Sequence, residues 1–172
     1  MKLENIEIEN FRQYYGPQRA KFSTDPVKNI TVFNGSNGAG KTSLFIALNW
    51  CLYGEGAENI GELISKEAVK RASPGEKVSA RVKLWFRHGT EKYLASRELI
   101  GIKQKDGPLD VSAKPEFTLM KIKADGQAVK IQNPIGTLNS ILPSNVRTFF
   151  LFDGEKIDNL AVCQVLCKSQ RN

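Results

Sequence analysis

The chain has 172 residues, enough for one domain with its own core, and with 41% of them apolar and 25% charged, wholesale disorder is excluded. The net charge of +7 favours polyanionic partners, either nucleic acid or nucleotide phosphates. The most apolar run, Leu44 to Tyr53, is broken by Asn49 and falls well short of the roughly 20 residues that span a bilayer. Met1 to Asn5 lacks the apolar core of a signal peptide, so no membrane association and a cytoplasmic location are the default expectations.

In chain order, Leu3 to Glu9 alternates Leu3, Ile6 and Ile8 with Glu4, Glu7 and Glu9, the pattern of a half-buried strand. Tyr15-Gly16-Pro17 marks a turn, and Arg19 to Phe22 predicts a second short strand. Asn29 to Phe33 is rich in branched and aromatic residues and predicts a buried strand. A glycine-rich loop follows it. Lys41 to Tyr53 predicts a helix whose apolar residues surround most of its axis, so that it is covered on more than one side; Gly54 to Gly56 ends it. Glu62 to Arg71 is a weaker helix, broken by Ser73-Pro74-Gly75.

Val78, Ala80, Val82, Leu84 and Phe86 then alternate with polar residues and Trp85, which is the clearest strand of the chain. Lys92 to Ile100 returns antiparallel after Gly89-Thr90. Phe117, Leu119 and Ile122 lie on a further strand after the polar loop at Asp106-Gly107-Pro108, and Asp125-Gly126 predicts a hairpin turn. Ile135 to Leu142 is a short helix stopped by Pro143, and Val146 to Phe152 an apolar strand. The mixture predicts an α/β nucleotide-binding core with an inserted antiparallel β-rich layer.

Gly35-Ser36-Asn37-Gly38-Ala39-Gly40-Lys41-Thr42 matches G-x-x-x-x-G-K-[ST] in full, between a predicted strand and a predicted helix. The chemistry requires these residue types. The glycines let the backbone turn tightly and aim successive N–H groups at phosphate oxygens. The helix N-terminus adds partial positive charge. Lys41 brings a full charge to the β- and γ-phosphates, and Thr42 offers a hard oxygen to magnesium. The loop therefore implies a nucleoside triphosphate with Mg2+. The three cysteines are too few for a disulfide framework. Cys163 and Cys167 are four apart, but the one histidine, His88, is remote, so ordinary thiols are a better reading than a zinc site.

Ile8-Glu9-Asn10-Phe11-Arg12 and Phe33-Asn34 through Ser43-Leu44, with Ala47-Leu48-Asn49-Trp50-Cys51-Leu52-Tyr53-Gly54, resemble the N-terminal ATPase half of the SMC, RecF and SbcC group, ABC-type ATPases that act on DNA. The late stretch Phe149-Phe150-Leu151-Phe152-Asp153-Gly154-Glu155 is similar to the DndD-like ATPases of DNA phosphorothioation systems. The resemblance implies an ABC-type, SMC-like N-terminal lobe over 1–160 and a short tail over 161–172. It implies ATP rather than GTP, a nucleotide-binding stretch from Asn34 to Ser43, and DNA as a partner, touched directly or through a complex. It also implies that Asp153 stands where the family carries a residue near magnesium and the attacking water, and that Arg12 lies near the nucleotide; a solvated charge is the alternative for Arg12.

From the residues alone, Phe149 to Asp153 also imitates a magnesium-holding strand ending in aspartate, with Glu155 as a candidate general base, although Asp153-Gly154 would equally make a turn. Family members carry a second ATPase half with a signature serine loop and a catalytic carboxylate pair, and neither is found in this sequence. The expectation is an N-terminal ATPase half that needs a C-terminal half or a second copy and is incomplete for hydrolysis alone. A self-contained NTPase using Asp153 and Glu155 is one alternative. Another is a DNA-binding module with a vestigial loop, its basic face formed by Arg81, Lys83, Arg87, Lys103, Lys105, Lys121 and Lys123.

Overall fold

The computed structural model describes residues 1–55, 59–105, 107–111, 114–143 and 145. Six antiparallel strands form one sheet in the order β2-β1-β3-β4-β5-β6. They are β1 (Lys2–Glu9), β2 (Pro17–Lys21), β3 (Lys77–His88), β4 (Glu91–Ile102), β5 (Glu116–Ile122) and β6 (Ala128–Lys130). The helices are α1 (Lys41–Tyr53), α2 (Lys66–Arg71) and α3 (Pro134–Ile141), with a single 3-10 turn at Ile60–Leu63. The weak helix predicted over Glu62 to Arg71 is thus divided: the short turn ends at Leu63, and α2 begins beyond Ile64 and Ser65, both of which are buried.

The alternation along β3 sets the inner face. Val78, Ala80, Val82, Leu84 and Phe86 are all buried, joined by Ile6 and Ile8 of β1, Ala95 and Leu99 of β4 and Leu119 of β5. The long β3–β4 ladder keeps its register from Lys77↔Ile102 to His88↔Glu91, so both strands turn the same face inward along their whole length. On that face lies α1. The Cys51 thiol points at the carbonyls of Val82 (3.6 Å) and Ala95 (3.8 Å), which locates the helix over β3 and β4. Phe11, wholly buried just beyond β1, packs on Trp50 with ring centroids 5.3 Å apart.

The outer face carries a lattice of ion pairs between neighbouring strands. Glu7 accepts from Arg19 (2.6 Å) and Lys83 (2.9 Å), and Arg81 bridges Glu98 (2.6 Å) and Glu9 (3.4 Å). Arg87 pairs with Glu4 there, while Lys121 and Glu91 pair at the end of the opposite face, in register with Tyr93. Lys103 donates instead to the carbonyls of Lys70 and Ala72 at the end of α2. Most of the basic residues predicted to form a polyanion-binding face therefore already have partners within the fold.

One expectation is overturned. Asn29 to Phe33 forms no strand, and Ile30 and Val32 are 81% and 80% exposed. Among the described residues the segment is held from one side: the Ser23 N–H donates to the Thr31 hydroxyl (2.7 Å), and Phe22 meets Phe33 edge to face at 5.8 Å. Asp25 closes the preceding turn by accepting from the N–H groups of Val27 and Lys28. A strand exists only where another strand pairs with it, and none of the described strands lies alongside this segment. The expected strand over Val146 to Phe152 lies outside the described residues. No helix of the described residues is long and apolar enough to cross a membrane.

Glu7 is buried, and its hydrogen bond from Lys83, helped by Arg19, holds its carboxyl below the usual glutamate range against the opposing effect of burial. A depressed folded-state pKa contributes stability above the unfolded pKa, and that stability is lost as pH falls through the folded value. Glu7→Gln should therefore cost about 1 kcal/mol at neutral pH and progressively less below about pH 4. Urea unfolding of both proteins across that range checks this; an unchanged difference would assign the loss to shape rather than charge.

Candidate functional site

The loop between Gly35 and Gly40 is exposed except at its last residue. It folds back on itself, with the Ala39 N–H bonded to the Ser36 carbonyl (3.2 Å) and the Gly35 N–H to the Asn34 side-chain oxygen (2.8 Å). The Lys41 ammonium lies across the loop and donates to the carbonyls of Gly35 (2.6 Å) and Ser36 (2.9 Å). Gly38 has φ +82° and open space around the position of a Cβ. Thr42 is exposed on the first turn of α1.

The two ends of α1 are treated differently. At the start, Gly40 caps the helix in the left-handed conformation with no side-chain capping bond, and the first turn has no acidic residue. The first helical bond runs from the Leu44 N–H to the Gly40 carbonyl (2.9 Å), so the N–H groups of Lys41, Thr42 and Ser43 have no helical acceptor. At the far end, Gly54 supplies a left-handed cap and its N–H returns to the Trp50 carbonyl (2.8 Å). Arg97 donates its Nε to the Cys51 carbonyl (3.2 Å) while its guanidinium covers the Phe117 ring at 4.5 Å. Positive charge sits at the negative end of the helix dipole, and the positive end faces the loop uncompensated. That is the electrostatics of an anion site.

The turn between β1 and β2 grips this helix start. Arg12 donates its Nε to the Ser43 hydroxyl (3.0 Å), and that hydroxyl donates to the Gln13 side-chain oxygen. Tyr14 donates its hydroxyl to the Gly40 carbonyl (2.9 Å), and partial burial pushes this phenol upward, so it is a donor at neutral pH. Asn10 (φ 48°) and Arg12 (φ 53°) both occupy the left-handed region on either side of Phe11. Such strain persists only where the surroundings impose it. Here the Ser65 N–H bonds to the Asn10 carbonyl (2.8 Å), the Arg12 N–H to the Leu63 carbonyl (2.8 Å), and the Gly16 N–H to the Asn10 side chain (2.9 Å).

The residues from Asn34 to Ser43 are thus together at one helix start, and Arg12 joins them from 31 positions away in sequence relative to Ser43. Ser43 is only 2% exposed, and its hydroxyl serves Arg12 and Gln13. Asp153, Glu155, Cys163 and Cys167 lie outside the described residues. Cys51 is inert, its thiol pushed up to about 12 by burial. No cluster of three metal-ligating His, Cys, Asp or Glu side chains occurs among the described residues, and Thr42, the hard-oxygen candidate of the phosphate-loop pattern, is exposed on the first turn of α1. Gln13 and Tyr14 are additions that sequence reasoning did not single out.

A model of the AAA domain family AAA_23 matches residues 5–164. The DNA replication and repair protein RecF of Chlorobium luteolum is 41% identical over 51 residues, 30% of this chain and 12% of that protein. Arcadin-4 of Pyrobaculum calidifontis is 34% identical over 67 residues, 39% of this chain and 8% of that protein. The chain therefore spans only a small part of the curated relatives it matches. Among solved structures, a chain from work on ATP-driven dimerisation and DNA-stimulated activation of SMC ATPases superposes with a TM-score of 0.51 at 18% identity, covering 94% of this chain and 98% of that one. The SMC head bound to the C-winged helix domain of ScpA gives a TM-score of 0.51 at 20% identity, covering 83% of this chain and 40% of that one. The fold is that of an α/β P-loop NTPase with an antiparallel β-rich layer.

A Cβ on Gly40 would stand 2.6 Å from the Tyr14 hydroxyl, on a backbone with φ +105°. Gly40→Ala should therefore destabilise the chain by about 1–3 kcal/mol and weaken anion binding at the loop. Denaturant unfolding and titration with inorganic triphosphate measure the two effects; wild-type values for both would mean that the crowding is relieved without cost.

Proposed function

We propose a function for this chain from one premise, that it belongs to the AAA domain family AAA_23. It is the ATP-binding N-terminal part of an SMC- and RecF-like ATPase head that works on DNA, in modification, restriction or repair. The observation that carries this reading is the uncapped start of α1 behind a complete phosphate loop, with Lys41 and Thr42 on its first turn. The N–H groups of Lys41, Thr42 and Ser43 bind phosphate oxygens, and Lys41 exchanges its two carbonyl acceptors for the β- and γ-phosphates. Magnesium, when bound, neutralises charge between those phosphates, and the exposed Thr42 hydroxyl is the hard oxygen that would hold it. Asp153 is the second oxygen ligand in this reading, and Arg12 fixes the first turn from behind. The likeness of the late stretch to DndD-like ATPases supports DNA phosphorothioation as the pathway.

The half is incomplete for hydrolysis. Positioning a water and stabilising the transferring phosphoryl group need groups around the γ-phosphate that the loop alone does not provide. A C-terminal ATPase half or a second copy supplies them. Support comes from the bare segment before the loop: Ile30 and Val32 project outward, Thr31 and Phe33 face the lobe, and Val27 beside them is 85% exposed. An apolar, strand-like segment with no partner strand among the described residues is a site for strand addition. The ion-paired outer face of the sheet, by contrast, gives the DNA-module alternative no specific support.

The purified chain should bind ATP with magnesium, and Lys41→Ala should weaken that binding by about tenfold or more. Turnover should stay near background in both. Robust hydrolysis that is lost in Glu155→Gln while ATP still binds would overturn the incomplete-half reading in favour of a self-contained NTPase.

Replacing Ile30 and Val32 by aspartate should lower the light scattering of the isolated chain and shift its melting temperature by less than about 2 °C, since neither side chain is in the core. Unchanged scattering would remove this segment as the docking edge.

A further inference from the structure

We propose that Tyr14 is a positioning residue for the phosphate loop, its hydroxyl holding the Gly40–Lys41 peptide so that the amide faces the phosphate. The inference rests on the reading of Gly35 to Thr42 as a triphosphate site.

Three observations carry it. The Gly40 carbonyl accepts two hydrogen bonds, one from the Leu44 N–H and one from the Tyr14 hydroxyl, each at 2.9 Å. The helix ladder needs only the first. The second adds no helical bond but fixes the direction of that carbonyl, and the planar peptide carries the Lys41 N–H on its other side. A donor on the carbonyl oxygen also draws electron density toward it, which makes the Lys41 N–H of the same peptide a stronger donor. Tyr14 therefore acts on orientation and on strength together.

The second observation is anchorage. Gly35 to Ala39 are exposed, and among the described residues their hydrogen bonds stay within the loop or go to Asn34 or Lys41. Gly40 is the loop residue that meets the body of the protein, through the Tyr14 ring, whose Cζ would lie 2.9 Å and Cε1 3.2 Å from a Cβ there. The third is that Tyr14 is itself rigid. Its N–H bonds to the Phe11 carbonyl (2.9 Å), and Phe11 is locked on Trp50. Its neighbours Arg12 and Gln13 hold Ser43 on the same turn of α1. Residues 12 to 14 thus grip positions 40 and 43 from one strained turn. A constraint of this kind improves binding by reducing the ordering that a ligand must impose.

The test uses the 172-residue chain with Tyr14→Phe, which keeps the ring and removes only the donor. Calorimetric titration with ATP and magnesium should find binding weakened by about fivefold, the effect of one hydrogen bond, while AMP affinity stays at the wild-type value and the melting temperature falls by no more than about 2–4 °C. In nitrogen-edited NMR spectra of the ATP-bound proteins the Lys41 amide proton should move upfield, the signature of a weaker donor, with the β3 and β4 amides unmoved. A purely structural tyrosine would lower the melting temperature and leave the Lys41 amide and the ATP affinity unchanged, which overturns the proposal. Lys41→Ala run in parallel separates the two failures. If Lys41→Ala loses ATP and Tyr14→Phe does not, the positioning role is wrong and the triphosphate site stands. If neither variant loses ATP, the triphosphate reading fails, and the role of Tyr14 with it.

Discussion

Everything around the loop depends on the contact between Phe11 and Trp50. A buried aromatic ring is worth about 3–5 kcal/mol against alanine, whereas a single hydrogen bond nets about 1 kcal/mol. Burial of Phe11, together with the hydrogen bonds of Ser65, Arg12 and Gly16, therefore holds Asn10 and Arg12 at their left-handed backbone angles. It fastens the β1–β2 turn to the middle of α1, and with the turn come the side chains of Arg12, Gln13 and Tyr14. The Phe11↔Ile64 bridge extends the same anchor to the segment before α2. One hydrophobic seat thus fixes the relation of sheet, helix and loop.

Much of this was legible in the residues because the signals were local. The alternation in β3 needed no knowledge of its neighbours, and neither did the bounds of α1, set by Gly40 and Gly54. The hairpin at Asp125-Gly126 was equally visible, since turn chemistry lies in adjacent residues: the Gly126 N–H closes onto the Lys123 carbonyl at 3.0 Å. What could not be read was whatever depends on a distant partner. Ile30 and Val32 have the composition of a buried strand, but composition does not reveal whether a pairing strand is within reach. Tyr14 and Gln13 lie 26 and 30 positions before the residues they hold, with no motif to mark them. The ion pairs of Arg81 and Lys83 are another example: a row of basic residues looks like a polyanion surface until the opposing glutamates of β1 and β4 are brought beside it.

The two faces of the sheet divide the labour. The inner face is apolar and carries α1, and so determines where the phosphate loop begins. The outer face is stitched by carboxylates and cations across β2, β1, β3 and β4, which discourages the open sheet from stacking on another without adding to the core. Among the described residues the most exposed large apolar side chains, Val27, Ile30 and Val32, lie in the segment leading into the loop. On the proposed reading, covering that segment and completing the nucleotide site are one event, because the segment leads directly into the loop.

Gly40 has an evolutionary consequence of its own. Two independent barriers guard that position, the left-handed backbone and the space filled by Tyr14. A smaller residue at position 14 would clear the space but leave the backbone barrier standing, and would remove the loop's tether to the body of the protein. Positions 14 and 40 are therefore coupled: enlarging position 40 would demand a change at position 14 as well as in the backbone of the loop.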